Sequence, residues 1–160
     1  MNHIDKQKEY EEKLRRYIKE NNIHAEHLSF NQSCHSVADA ATAVNAKPED
    51  FVKNICMIDK ENNLIVAIVN GKDRASTTKV GKVLGIERPE IASPNQIFEK
   101  TGYPCGGTPS FSYRAKFIID LKVMEMKFVY SGGGSQNSLV KISTKELQKI
   151  NGGIITKISK

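Results

Sequence analysis

The chain has 160 residues and a formal net charge of +6, with 39% hydrophobic and 26% charged residues and no tryptophan. That is enough chain for one domain with a substantial core, and the composition is neither that of a disordered segment nor of a fibre. The longest apolar run, LIVAIV at 64–69, is too short to span a bilayer, the N-terminal MNHIDKQKEYEEK has no apolar signal core, and Cys34, Cys56 and Cys105 form no C-x-x-C pattern. These features point away from a membrane span, a disulfide framework and a zinc site, and toward a cytoplasmic protein without cofactor or metal.

In chain order, IDKQKEYEEKLRRYIKENN predicts a charged helix with Tyr10, Leu14, Tyr17 and Ile18 on one stripe. It is expected to pack as an N-terminal arm (1–24) on a domain spanning 25–160. AEHLSF is a short alternating piece, and SVADAATAV is a small-residue helix in which Ser36 and Asp39 have capping-box spacing. VKNICMID (52–59) and LIVAIVN (64–70) predict two strands across a polar KENN turn, the second apolar on both faces and therefore central. A helix near 76–84 stops at Gly85, and SPNQIFEKTG predicts another with Ser93 as N-cap, Pro94 in its first turn, Gln96 as box partner and Gly102 as stop. Strands follow at 116–120, 127–131, 139–143 and 153–159, with a Ser143-capped helix at 144–150. Strands and helices mix without strict βαβ alternation, so the expected fold is a single α+β domain with a curved, mainly mixed sheet surrounded by helices.

Three features are candidates for chemistry. Lys53 shares a strand face with Ile55 and Met57, so its ammonium either lines a pocket or snorkels out from the strand end. GYPCGGTP sets Gly106 and Gly107 side by side before Pro109; such a loop is either a plain turn or a nest of main-chain N–H groups for a carbonyl or anion. SGGGS at 131–135 is a second bare-backbone turn after a strand. Cys105 has no histidine at a diagnostic spacing, and His24, His27, Cys34 and His35 match no metal-ligand pattern. Residues 71–88 hold Lys72, Arg74, Lys79, Lys82 and Arg88 against Asp73 and Glu87, a patch that is either a solvated face or a polyanion-binding surface.

The order SVADAATAVNAKPEDFVKNICMI, NGKDRASTTKVGKVLG, ASPNQIFEKTGYPCGGTP, FIID, FVYSGGG and STKELQKI resembles the YbaK/prolyl-tRNA editing family over roughly residues 25–155. The resemblance implies hydrolysis of mischarged aminoacyl-tRNA in trans, most readily alanine or cysteine on proline tRNA. Editing of this kind removes errors that a synthetic site cannot reject by size alone. By the same resemblance, Lys53 holds the 3′-terminal nucleotide, and main-chain groups of Gly106 and Gly107 hold the aminoacyl ester. His35, Thr108, Pro109, Ser131 and Gly132 border the substrate pocket; Asp120, by contrast, is read as a structural cap or partner. Lys72, Arg74, Lys79 and Lys82 contact the acceptor stem. The partner is the aminoacylated tRNA 3′ end, with a prolyl-tRNA synthetase as an open second partner. The loop departs from the family's usual GGxxP or GxxxP form, because here Pro109 arrives one residue early, as GGTP. The alternative to catalysis is an RNA-binding module of the same fold.

Overall fold

The structure, a computed structural model, describes residues 3–160. Helix α1 (His3–Glu20) leads into strand β1 (Ala25–Ser29) and helix α2 (Val37–Val44). A single 3-10 turn at Pro48–Asp50 precedes β2 (Val52–Ile58), which turns into β3 (Leu64–Asn70). Then come α3 (Thr77–Leu84), β4 (Glu90–Ile91), α4 (Pro94–Thr101), β5 (Lys116–Asp120) and α5 (Leu121–Met124). The chain closes with β6 (Phe128–Gly132), β7 (Ser138–Ser143), α6 (Thr144–Asn151) and β8 (Ile154–Thr156).

The α+β class is as expected, and the strands divide between two sheets. One is antiparallel, in the order β1-β7-β6; the other is mixed, in the order β4-β2-β3-β5-β8. An isolated bridge between Phe51 and Tyr130, whose rings stack at 5.0 Å, joins them. Strand β3 occupies the middle of the five-stranded sheet, and every one of its residues is buried. Its alternate residues feed two different cores, as period-two geometry requires. Val66 and Ile68 join the main core with Ile119, Val140 and Leu147, whereas Ile65, Ala67 and Val69 pack with Val80 of α3 and Ile158. A third cluster sets the small residues Ala40 and Ala41 of α2 against Phe51 and Leu139.

The caps read from the sequence at Ser36, Ser93 and Ser143 are present, and Ser76 adds one on α3. Ser36, Ser76, Ser93 and Ser143 each accept a hydrogen bond from the main-chain N–H three residues on, and Ser93 with Gln96 forms a complete capping box. The last strand is shorter than its sequence pattern. Buried Asp120 accepts hydrogen bonds from the N–H groups of Ile158 and Ser159 at 2.8 and 2.9 Å, which diverts the chain from the ladder after Thr156. The same carboxylate caps α5 through the N–H of Lys122. Two short elements, β4 and α5, lie below the length at which a periodicity can be recognised.

Helix α1 buries Leu14 completely in the main core, with Tyr10, Tyr17 and Ile18 packed around it. Lys13 lies over the Tyr103 ring at 4.5 Å, and Tyr10 meets Phe98 edge-on at 6.0 Å. Alongside it, His27 Nε2 lies 2.8 Å from the Gly133 carbonyl, so this nitrogen carries the proton and the buried Nδ1 has no hydrogen-bond partner among the described residues. Burial, reinforced by Arg15, outweighs the Gly133 bond and Glu11 and lowers the imidazole below its usual pKa of 6.5. The unfolded chain therefore takes up this proton more readily than the folded one, so stability falls as pH drops through about 6.5. The urea midpoint is expected to be lower at pH 5.5 than at pH 7.5, and His27→Gln is expected to shrink that difference.

Candidate functional site

A pocket of about 170 Å³ opens where the two sheets meet. Its wall is the edge of β2. Strand β4 pairs only with Met57 and Ile58, so the edge of β2 at Lys53, Asn54 and Ile55 lines the pocket without a strand laddered to it on that side. Cys34, His35 and Ser36 form the lip ahead of α2, Cys105, Gly106 and Thr108 come from the loop after α4, and Tyr130, Ser131 and Gly132 from the end of β6. Of the residues expected to contact substrate, Lys53, Gly106, His35, Thr108, Ser131 and Gly132 all line this one cavity.

Lys53 is half-buried and donates one hydrogen bond, at 2.9 Å, to the Asp73 carbonyl in the turn after β3. An ammonium has three donors, and this bond fixes its position while leaving others for a ligand. Asp73 is itself paired with Lys122 at 3.3 Å. Lys53 is a lining residue of the pocket, and its ammonium reaches the turn after β3.

The two loop glycines do different things. Gly106 has φ +90°, a β-carbon there would overlap the His35 ring, and its N–H and C=O make no main-chain hydrogen bond among the described residues. Gly107 is buried behind it and lies outside the pocket lining. Its N–H donates to the Pro104 carbonyl at 3.0 Å and its own carbonyl accepts from the Gly134 N–H at 2.8 Å. Gly106 faces the cavity, whereas Gly107 lets the loop touch the 133–137 turn. Pro109 is also buried outside the lining, its carbonyl accepting from the Tyr113 hydroxyl at 2.6 Å.

Asn54 is the residue whose place the sequence pattern did not single out. Its amide nitrogen donates to the Thr108 carbonyl at 3.1 Å and to Ser131 Oγ at 3.2 Å, and its amide oxygen accepts from Ser110 Oγ at 2.7 Å. Ser110 and Ser131 are in turn 2.6 Å apart. One amide thereby ties the glycine loop, β2 and β6 into one frame beneath the pocket. The signal was available: Val52, Asn54 and Cys56 share the face of β2 that turns into the core, and a polar group there needs partners.

A model of the aminoacyl-tRNA editing domain matches residues 31–150. The chain belongs to the aminoacyl-tRNA editing domain family. The uncharacterized protein YwhH of Bacillus subtilis is 23% identical over 124 residues, covering 76% of this chain and 78% of that one. A proline–tRNA ligase of Geobacter metallireducens is 28% identical over 103 residues, which are 64% of this chain and 18% of the ligase. Among solved structures, hypothetical protein APE2540 superposes with a TM-score of 0.86 at 25% identity over 92% of this chain and 99% of that one. A proposed trans-editing enzyme for prolyl tRNA synthetase has the same fold, with a TM-score of 0.86 at 21% identity over 94% and 97% of the two chains. As an editing domain, the chain is a hydrolase of the ester between amino acid and tRNA.

In an editing domain the remaining candidates sort by exposure and pairing. Lys72 is exposed and pairs with Glu49 at 2.9 Å, and Lys79 donates to the Ser159 carbonyl at 2.6 Å, tying α3 to the end of the chain. Arg74 and Lys82 are exposed. The Asp73 carbonyl holds this turn against the ammonium of Lys53, a residue of the pocket lining. Burial pushes the Cys34 thiol up to about 11, which keeps this lining group protonated at neutral pH. Among the described residues no three His, Cys, Asp or Glu side chains come together as a metal site, and no helix is long and apolar enough to cross a membrane.

Proposed function

We propose that the protein hydrolyses mischarged aminoacyl-tRNA in trans, in the cytoplasm, with alanine or cysteine on proline tRNA as its substrates. The observation that carries this reading is that Lys53, whose ammonium is anchored on the Asp73 carbonyl, and Gly106, whose main chain is unpaired, line one small cavity. At about 170 Å³ the cavity is below the range of roughly 300–1,000 Å³ usual for drug-sized ligands. A small aminoacyl group suits it, and Ala40, Val37 and Leu139 give it apolar walls.

In this reading Lys53 holds the phosphate of the 3′-terminal nucleotide and keeps the ester in register. The Gly106 main chain orients the ester carbonyl. Water adds to the carbonyl carbon, the bond from that carbon to the ribose oxygen breaks, and the ribose oxygen takes the proton as the free amino acid leaves. The neighbouring ribose hydroxyl relays the proton from water, so no protein base is needed. Asn54 and Ser131 hold the loop in place, and His35 and Thr108 border the amino acid. Cys105 is a wall residue, and Cys105→Ser is expected to retain activity.

The test is a panel of proline tRNA charged separately with alanine, cysteine, serine and proline, with amino-acid release followed under single-turnover conditions. Release of alanine or cysteine well above proline is expected. Saturable tRNA binding with no release from any member would instead identify an RNA-binding module of the same fold.

Lys72, Arg74, Lys79 and Lys82 are assigned to the acceptor stem, with Arg74 and Lys82 as its freest cations. Phosphate contacts release counterions, so affinity should fall steeply with salt and depend little on stem sequence. Arg74→Ala is expected to weaken tRNA binding and to lower the slope of log affinity against log salt by about one.

A further inference from the structure

We infer that Glu11, on α1 and outside the segment matched by the family model, is a positioning residue for the hydrolytic loop; this rests on the deacylase reading above. Glu11 is a carboxylate with only 6% of its surface exposed, and it does not reach the pocket. A buried carboxylate is retained only where hydrogen bonds and charge compensate its lost hydration. Its Oε1 accepts from Ser29 Oγ and, at 3.2 Å, from Arg15; its Oε2 accepts from Ser135 Oγ at 2.8 Å.

Ser135 is the fixed point of the second glycine turn. Its hydroxyl also accepts from the Asn137 N–H at 3.1 Å and lies 2.9 Å from Ser138 Oγ, while its own N–H donates to Ser138 Oγ at 3.1 Å. From this turn two bonds hold the carbonyls of the hydrolytic loop. The Gly134 N–H donates to the Gly107 carbonyl at 2.8 Å, and Gln136 Nε2 donates to the Cys105 carbonyl at 2.9 Å. These two carbonyls flank Gly106. A single carboxylate on α1 therefore sets, through Ser135, the backbone on both sides of the residue that faces the substrate. The α1 main chain closes the other side, since a β-carbon on Gly134 would lie 2.8 Å from the Tyr10 carbonyl.

Such a residue acts on the rate at a formed complex rather than on tRNA binding. Glu11→Gln and Ser135→Ala are compared with wild type for kcat and KM on the substrate that wild type releases, and for amide hydrogen exchange at Gly107 and Gly134. Both variants are expected to lose about tenfold or more in kcat with KM within about twofold, and to exchange faster at Gly134. Arg15→Ala removes the ion-pair partner and its 3.4 Å contact to Ser29 Oγ but leaves the Ser135 bond in place, so it is expected to cost stability while kcat stays near wild type. Wild-type kcat in both folded variants, or a loss confined to KM, would overturn the assignment. If Glu11→Gln does not fold, Ser135→Ala decides. If wild type releases no amino acid, the deacylase reading fails, and unchanged exchange at Gly134 in the variants separately refutes the link from Glu11 to the loop.

Discussion

Lys53→Ala is expected to reduce kcat/KM for ester hydrolysis by about a hundredfold or more while the protein stays folded. A preorganised charged donor aimed at a substrate anion contributes roughly 3–4 kcal/mol to the transition state, which corresponds to two to three decades in rate. Within the protein the same ammonium makes one hydrogen bond, to the Asp73 carbonyl. Its removal should cost about 1–2 kcal/mol of stability, a shift of a few degrees in Tm. Lys53→Arg tests geometry against charge. A guanidinium keeps the charge but presents a broad planar fork where a compact head is seated, so it should restore binding better than rate. Circular dichroism melts beside single-turnover rates separate the two effects.

Gly107→Ala is expected to damage the fold, in contrast to its neighbour. A β-carbon at Gly107 would lie 2.6 Å from the carbonyl carbon of Ser135 and 2.7 Å from its oxygen, both main-chain atoms that cannot swing aside. Overpacking of this kind costs about 3 kcal/mol, or roughly 6–12 °C in Tm for a chain of this size. At Gly106 the added atom would meet the ring of His35, an exposed side chain at the pocket lip, and the remaining cost is the positive φ. That conformation costs a non-glycine residue about 1–2 kcal/mol. Gly106→Ala should therefore melt closer to wild type yet lose activity, because it crowds the pocket and disturbs the loop. Thermal melts of the pair, read beside their turnover rates, distinguish a glycine that lines the pocket from one that lets two backbones touch.

Much of the architecture was legible because short-range chemistry dictated it. Ser93, Pro94, Gln96 and Gly102 delimit α4 by capping and helix termination, and the two-sided apolar run of β3 can only be central. The gathering of Lys53, Gly106 and Ser131 into one cavity is a long-range event, visible beforehand only through the family's order of motifs. The division of labour between Gly106 and Gly107 was hidden, since it depends on which backbone lies behind the loop. So was the role of Glu11: on the helical wheel it is one more charged residue, and only the fold brings Ser29 and Ser135 to it. Asp120 was read as a cap or structural partner, and it bonds three main-chain N–H groups.

The most direct measurement of the central claim locates the aminoacyl group itself. An adenosine 5′-monophosphate carrying alanine through a 3′ amide in place of the ester keeps the phosphate assigned to Lys53, cannot be released, and can be titrated into isotope-labelled protein. The account predicts saturable amide shifts concentrated at Gly106, Thr108, Lys53 and Asn54, with Lys53→Ala weakening the binding. Binding whose shifts cluster elsewhere, with Gly106 and Lys53 unmoved, would contradict it.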